Sequence, residues 1–462
     1  MVFSSPIFVF LFLPIVYLIN LFIPKKLSNL FLLIMSLLFY AWGEPVYVLL
    51  MIFSGFINYW LAMGMDRYDD RRKLFLLITV IFNIGLLGLF KYADFIILSF
   101  NGLLGLNISL LHLPLPIGIS FYTFQTMSYV LDVYRKDTPV QKNYFSLLLY
   151  ITFFPQLIAG PIVKYHDVAK EIIKRKVTLN GTTIGLRRFV FGLSKKVILA
   201  NTMAVVVDQL YALPNSDIST SIAWIAAIAY LFQIYFDFSG YSDMAIGMGE
   251  MFGFHFLENF NYPYIASSVQ DFWRRWHMSL SSWFKLYVYI PLGGSRKGKT
   301  KAIFNRILVF FLTGLWHGAA WTFVIWGLYH GLFLLLEQLF LKVEKWPRPL
   351  RHFYTLLIVL IGFVIFRADN FTQALVFIRS MFIFNDVTAN GASQLMILMT
   401  PLILLLFVIC TIASTPIARL IQAKDHTVIS NYLSYGFAVV LWFICLFSLS
   451  ATAYNPFIYF RF

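Results

Sequence analysis

The sequence predicts an all-α polytopic membrane protein with roughly eleven to thirteen membrane helices plus re-entrant or interfacial helices. Three observations predict this fold class. Hydrophobic residues make up 60% of the 462 positions and charged residues only 12%, whereas soluble domains carry roughly a quarter charged residues. Apolar stretches of about the length that crosses a bilayer recur along the whole chain. Short basic runs lie between these stretches, as the positive-inside rule requires.

The candidate spans follow from the apolar stretches. Residues 367–384 predict an interfacial helix, and residues 255–301, polar but rich in aromatic side chains, predict a partly re-entrant segment enclosed by protein. The first stretch has neither a basic leader nor a small-residue cleavage site, so we interpret it as a retained span. One membrane domain covering 1–462 is the simplest organisation. The clear spans are 5–23, 28–42, 45–64, 74–90, 143–159, 188–211, 220–236, 303–316, 318–341, 352–367, 394–414 and 432–451, and weaker ones are 94–112 and 116–131.

Charge and motif content exclude several classes of function. The formal net charge is +15, and short runs such as Lys195-Lys196 indicate a topology signal and contact with anionic membrane lipids, not a nucleic-acid groove. Cys410 and Cys445 lie in apolar stretches without metal-ligand spacing. The sequence contains no Gly-x-Ser-x-Gly elbow, Walker loop or His-Glu-x-x-His motif. It therefore predicts no metal site and gives no support to covalent serine chemistry.

Polar residues inside apolar sequence are costly in a membrane protein, so each cluster of them is a candidate functional site. In the first cluster, Gln233, Asp237 and Tyr241 recur every four residues and share one helix face, while Asp243 falls on another face. Two interpretations are balanced here. The acids line a cavity, or they pack helices and cap a break at Gly240, and buried charges need partners in both cases.

The second cluster, which begins at Asp271, is basic and aromatic together. Arginine and lysine side chains of this kind hold phosphate groups, and an indole ring can stack on adenine. The structural alternative, an interfacial belt with snorkelling cations, is the better supported on composition alone. The candidate residues for a nucleotide cofactor are Arg274, Arg275, Lys285, Lys297, Trp273 and Trp276.

The third cluster places His317 between two long apolar runs, beside Trp316 and with a glycine on either side of the pair. Glycine lets another backbone or a ligand come close. A neutral imidazole at this depth is able to act as a general base near neutral pH, although a buried histidine with a purely structural role fits equally well. Trp321, one turn further on, is expected to wall the pocket. His330, thirteen residues later and off that face, ranks lower.

These clusters also carry a resemblance to a known family. The sequence resembles the membrane-bound O-acyltransferases, and within them it looks closest to the membrane subunits of bacterial alginate and peptidoglycan O-acetyltransferases. The similarity runs in order from about residue 100 to the closing segment 456–462, with the core motifs at about 100–340. The motifs are Pro116-Ile-Gly-Ile-Ser-Phe-Tyr-Thr-Phe-Gln125, Pro155-Gln-Leu-Ile-Ala-Gly-Pro161, Tyr235-Phe-Asp-Phe-Ser-Gly-Tyr-Ser-Asp-Met244, Asn259-Phe-Asn-Tyr-Pro-Tyr264, Asp271-Phe-Trp-Arg-Arg-Trp-His-Met-Ser-Leu280, Tyr289-Ile-Pro-Leu-Gly-Gly294 and Gly314-Leu-Trp-His-Gly318.

This resemblance implies a ring or curved wall of helices around a central tunnel. It maps the essential histidine of the family to His317 and a second, partly re-entrant histidine to His277. The relatives take acetyl from a cytosolic donor, generally acetyl-CoA, and pass it across the bacterial cytoplasmic (inner) membrane. A separate extracytoplasmic SGNH-hydrolase-like transferase then places it on a polysaccharide. The other expected pocket residues are Asp237, Tyr241, Asp243, Trp316 and Trp321.

The residues fit this chemistry independently, but other functions stay open. His317 as a base deprotonates an acceptor hydroxyl, and a thioester donor needs no metal. Asp237 or Asp243 would orient this base or hold the helices around it. The alternatives are D-alanyl transfer to teichoic acid from an acyl carrier protein, a transporter of polysaccharide or lipid-linked sugar, and a scaffold for the extracellular transferase. The motifs do not encode which polysaccharide is the acceptor.

Overall fold

The computed structural model describes residues 2–384, 386–417, 428–451 and 458, and every regular element among them is helical. This confirms the all-α class. An α-helix satisfies its backbone N–H and C=O groups within one segment, as the water-free interior of a bilayer demands. The helices are α1 (Leu13–Phe22), α2 (Lys25–Ala41), α3 (Tyr47–Arg67), α4 (Arg72–Leu87), α5 (Ala93–Leu104), α6 (Ile119–Arg135), α7 (Tyr144–Thr152), α8 (Phe154–Leu157), α9 (Tyr165–Ile173), α10 (Leu179–Ser194), α11 (Asn201–Tyr211), α12 (Thr220–Met251), α13 (Val269–Arg275), α14 (Met278–Phe284), α15 (Lys299–His317), α16 (Trp321–Leu336), α17 (Arg348–Arg367), α18 (Phe371–Phe382), α19 (Ala389–Leu398), α20 (Pro401–Ala413) and α21 (Val428–Ala451).

Seven helical segments in the described part of the chain are long and apolar enough to cross a membrane, so the protein is a multi-pass membrane protein. The pair α19 and α20, bent by 72° at their junction, raises the number to eight if it forms one span. Seven or eight spans are fewer than the roughly eleven to thirteen that the sequence predicts. Several apolar stretches form helices that are shorter than a full span, such as α2 with 17 residues and α7 with 9. The seven segments are Tyr47–Arg67, Asp69–Leu104, Leu179–Tyr211, Thr220–Met251, Trp321–Leu341, Arg348–Arg367 and Asn431–Ala451.

The chain divides into two compact units. The first comprises 1–189 and 242–258, and the second comprises 190–241 and 259–462. Every predicted site residue except Asp243 belongs to the second unit. The single domain over 1–462 stays a prediction.

Two of the motifs that carry the family resemblance pack together in the first unit. Gly118, in the motif that begins at Pro116, has a φ angle of 75°. A Cβ atom at this position would lie 2.9 Å from the carbonyl oxygen of Leu157, in the motif that begins at Pro155. Glycine is therefore required here both for the left-handed backbone and for the close approach of the second motif.

Asp243 forms an ion pair within the first unit. Nε and Nη2 of Arg188 both donate to Asp243 Oδ1, at 3.0 and 2.9 Å. Nη1 of the same guanidinium donates to Glu258 Oε1 at 2.7 Å. Because the arginine bridges two carboxylates, these contacts favour the structural interpretation of Asp243 over a role in orienting a base.

Candidate active site

The first polar cluster lies on one buried face of α12. Gln233, Asp237 and Tyr241 are 5%, 1% and 0% exposed, and because α12 is continuous through all three they share one face, as the four-residue spacing predicts. The helix runs without interruption through Gly240, so this glycine caps no break. A Cβ atom at Gly240 would lie 2.7 Å from the carbonyl oxygen of Gly192. Gly240 therefore allows α10 and α12 to pack closely.

Asp237 is the acid of a buried ion pair. Nζ of Lys196 lies 2.7 Å from Asp237 Oδ1, and the two side chains are 1% and 2% exposed. The backbone N–H of Ile458 donates to Asp237 Oδ2 at 2.8 Å, while Lys196 Nζ also donates to Asn201 Oδ1 at 2.9 Å. Both carboxylate oxygens are therefore engaged, as a buried charge requires. These contacts favour the interpretation that Asp237 holds helices together.

His317 is the last residue of α15 and is 2% exposed. Helices α15 and α16 form a hairpin whose two backbones touch at glycines. A Cβ atom at Gly314 would lie 2.3 Å from the carbonyl oxygen of Phe323, and one at Gly327 would lie 2.3 Å from that of Phe310. The close approach expected at Gly314 is therefore that of another helix backbone. This packing fixes where α15 ends and where His317 lies.

We expect Gly314→Ala to destabilise the protein by roughly 1–3 kcal/mol or more, because the added methyl group must displace the Phe323 carbonyl. Gly85→Ala and Gly436→Ala are matched controls, since a Cβ atom at either helical glycine meets nothing within 4 Å. Alanine should leave these two sites unchanged or slightly more stable. Thermal unfolding of the purified variants in one detergent measures the difference. Equal melting temperatures for all three variants would contradict the tight hairpin.

His277 lies immediately before α14 in a left-handed backbone conformation, with φ 44°, and is 0% exposed. Three groups surround Oδ1 of Asn259: Nδ1 of His277 at 3.1 Å, Oγ of Ser279 at 2.8 Å and the Ser279 backbone nitrogen at 3.3 Å. Burial lowers the pKa of His277 to about 3. The imidazole is therefore neutral at physiological pH and is able to accept a proton.

Two tryptophan rings connect three buried histidines. The ring centroid of Trp316 lies 5.7 Å from that of His277 and 5.1 Å from that of His317. The centroid of Trp326 lies 5.0 Å from that of His317 and 5.2 Å from that of His330. The structure thus brings both predicted catalytic histidines to one tryptophan and adds His330, which the sequence ranks lower. Trp326 and His330 are four residues apart on α16, a spacing that would have indicated a shared face.

The candidate cofactor-binding residues differ in their accessibility. Trp273 and Trp276 are 8% and 2% exposed and pack against Phe272. Their burial favours a role in the core over stacking on adenine. Nε of Arg275 donates to Asp271 Oδ1 at 3.0 Å, so this guanidinium already has an anionic partner.

The three other predicted cations, Arg274, Lys285 and Lys297, are exposed. They are available to an anionic ligand. Trp321 begins α16 with a side chain that is 58% exposed, which is unlike the wall of a closed pocket. Trp321 does not share a helix face with His317, because α15 ends at His317 and α16 begins at Trp321.

The second unit therefore offers histidine nitrogens inside an aromatic, largely apolar surrounding. Such groups transfer protons within a reaction that excludes water. Among the residues that the structure describes, no group of three or more His, Cys, Asp or Glu is placed to hold a metal ion. Fold and site together have the features of a multi-pass membrane enzyme.

Comparison with known proteins gives the family. The sequence profile of the membrane-bound O-acyltransferase family matches residues 8–376. The chain belongs to this family and is an acyltransferase. The "Probable alginate O-acetylase AlgI" of Pseudomonas putida is 40% identical over 100% of both chains. The "Peptidoglycan O-acetyltransferase" of Helicobacter pylori is 37% identical over 85% of this chain and 82% of its own. The "Teichoic acid D-alanyltransferase" of Bacillus subtilis is 31% identical over 54% of this chain and 65% of its own.

Proposed function

We propose that this chain is an O-acetyltransferase of the bacterial cytoplasmic (inner) membrane. It takes acetyl from acetyl-CoA on the cytosolic side and passes it across the membrane for O-acetylation of an extracytoplasmic polysaccharide. The observation that carries the chemistry is the pair of buried histidines, His277 and His317, on one Trp316 ring. Similarity over the whole chain to an alginate O-acetylase supports acetyl as the group transferred and a polysaccharide as its acceptor. An SGNH-hydrolase-like transferase outside the membrane is the expected partner.

In this proposal His317 is the general base. The oxygen of the attacking hydroxyl bonds to the carbonyl carbon of the thioester while its proton passes to the imidazole. The C–S bond then breaks, and the proton moves from His317 to the thiolate, so the products are an ester and a thiol. The rings of Trp326 and Phe366, at 5.0 and 5.2 Å from that of His317, shield the imidazole from water, which strengthens its interactions with the reacting groups.

D-alanyl transfer to teichoic acid is the second candidate, because the Bacillus subtilis enzyme also resembles the chain. That similarity covers about half of the chain, whereas the alginate O-acetylase matches all of it. Membership of an acyltransferase family favours acyl transfer over the transport of a polysaccharide or lipid-linked sugar.

The test is to delete the gene, restore it, and measure the esters that mild alkali releases from the surface polymers. Acetate and D-alanine are quantified separately in each strain. Acetate that disappears on deletion and returns with the wild-type gene supports the proposal. D-alanine that behaves in this way supports the second candidate, and no change in either ester overturns both.

The exposed cations Arg274, Lys285 and Lys297 are proposed to hold the phosphates of acetyl-CoA. We expect the triple glutamine variant to raise the KM for acetyl-CoA by about tenfold with little change in kcat, because charge-assisted hydrogen bonds to the donor are lost. A variant with glutamine at the exposed Lys25 and Lys26 is the matched control for lost surface charge. Acetyl transfer by washed membranes at varied donor concentration gives both constants. A lower kcat at unchanged donor affinity would show that these cations do not bind the phosphates.

A further inference from the structure

The hydrogen bonds at Asn259 define which nitrogen of His277 carries the hydrogen. The backbone N–H of Ser279 lies 3.3 Å from Asn259 Oδ1, and the Ser279 hydroxyl lies 2.8 Å from it. A backbone N–H only donates, so the acceptor must be the amide oxygen and not the amide nitrogen. Nδ1 of His277, 3.1 Å from the same oxygen, therefore carries the hydrogen and donates it.

This tautomer leaves the lone pair of the neutral imidazole on Nε2. Nε2 of His277 is buried, and no other residue in the described part of the chain forms a hydrogen bond with it. The rings of Phe238 and Trp316 cover the imidazole, with centroid distances of 4.6 and 5.7 Å. A buried acceptor without a protein partner is rare and is typical of a catalytic group or of a site that a water molecule or a ligand occupies.

The backbone around Asn259 is itself fixed against the His277 segment. The carbonyl oxygen of Asn259 accepts a hydrogen bond from the backbone N–H of Met278 at 2.9 Å. The backbone N–H of Asn261 donates to the carbonyl oxygen of Arg275, also at 2.9 Å. The motif that begins at Asn259 thus runs alongside the turn at His277, and backbone hydrogen bonds fix the two segments against each other.

We infer that Asn259 is a positioning residue, which holds His277 as the Nδ1–H tautomer and so presents Nε2 to the reacting groups as a hydrogen-bond acceptor. The inference rests on the proposed function, because it assigns a task within the acetyl-transfer site. In many enzymes a third side chain orients the imidazole that acts on the reacting group. The carboxamide of Asn259 has this orienting role here. Asn259 acts through His277 and is not itself required to touch the substrate.

Two helices pack against His277, and the charged residue next to it on its own segment, Arg275, is paired with Asp271. Helix α12 packs against His277 through Phe238, whose preceding residue Asp237 is paired with Lys196. Helix α15 contributes His317, on the other side of Trp316. A change of charge at position 259 is therefore the most direct way to alter the pKa of His277 without disturbing these groups.

Asn259→Asp and Asn259→Ala separate the two tasks of the side chain. Aspartate still accepts from Nδ1–H but stabilises the imidazolium, so we expect the acid limb of the pH–activity profile to move up by about one pH unit or more. Alanine lets the tautomer change, and we expect kcat to fall roughly ten- to a hundredfold with KM nearly unchanged. Ser279→Ala is the comparison variant. It removes a hydroxyl that lies 2.8 Å from Asn259 Oδ1 and 3.4 Å from His277 Nδ1, but it keeps the 3.1 Å contact between Asn259 and His277, so we expect a smaller loss than in Asn259→Ala.

A measurement that does not depend on acetyl transfer completes the test. The chain has eight histidines, so ¹⁵N-histidine NMR in lipid bilayers, with His277→Gln to assign the signal, reports the tautomer of His277 directly. A protonated Nδ1 in the wild type, lost in Asn259→Ala, supports the inference even if the proposed function fails. A protonated Nε2 in the wild type, or an Asn259→Asp variant with the wild-type pH profile, overturns it while leaving acetyl transfer by the protein unaffected.

Discussion

His317→Ala is expected to reduce acetyl transfer by roughly 10²–10⁴-fold, the contribution that a general base makes to such reactions. The imidazole is buried at the end of α15 between the rings of Trp316, Trp326 and Phe366. These rings keep water away from the proton that is transferred. Polymer-bound acetyl is measured in cells that carry the wild type or the variant, with both proteins present in the membrane in equal amounts.

His317→Gln and His112→Ala complete this comparison. Glutamine keeps much of the side-chain volume but has no basic nitrogen, so it should be as inactive as alanine if proton transfer is the task. His112 is exposed, and its replacement should leave acetylation unchanged. If His317→Ala still supports full acetylation, His317 is not the base, and a scaffold for the extracellular transferase becomes the better description.

Lys196→Met is expected to lower the free energy of unfolding by roughly 3–5 kcal/mol, because it leaves the carboxylate of Asp237 buried without its cation. Lys195→Met is the matched control, since this neighbouring lysine is only half-buried. Thermal or denaturant unfolding in detergent gives the difference between the two variants.

The double variant Lys196→Met with Asp237→Leu distinguishes a lost ion pair from a general packing defect. Removing both charges leaves no unpaired charge in the buried site, so the double variant should recover much of the lost stability. The single variant Asp237→Leu is measured as well. If the double variant loses as much stability as the two single variants added together, Lys196 and Asp237 do not stabilise each other.

Local periodicity predicted which residues of one helix share a face, but not which helices meet. The four-residue spacing of Gln233, Asp237 and Tyr241 was sufficient to predict that they share one face, since the geometry of a continuous helix alone decides it. The partner of Asp237 could not be predicted in this way. Lys195 and Lys196 look alike in the sequence, and only the packing against α12 buries the second of them.

The same limit applies to the aromatic residues of the site. Trp321 follows His317 by four residues and was expected beside it, yet the chain leaves one helix and enters another between them. Trp326, on the next helix, contacts the His317 ring instead. The glycines were informative because a missing side chain at Gly314 indicated close approach, although the sequence alone did not say whether a ligand or a backbone would fill the space.

The left-handed backbone at His277 has a consequence for mutational scanning. Position 277, like Tyr262 in the connection before α13, has a positive φ angle that β-branched side chains hardly tolerate and that glycine and asparagine adopt readily. A β-branched residue at 277 therefore disturbs the backbone and removes the imidazole at once. In a saturation library sorted first on membrane abundance and then on polymer acetylation, Gly and Asn should pass the first sort and fail the second, whereas Val and Ile should already be depleted in the first.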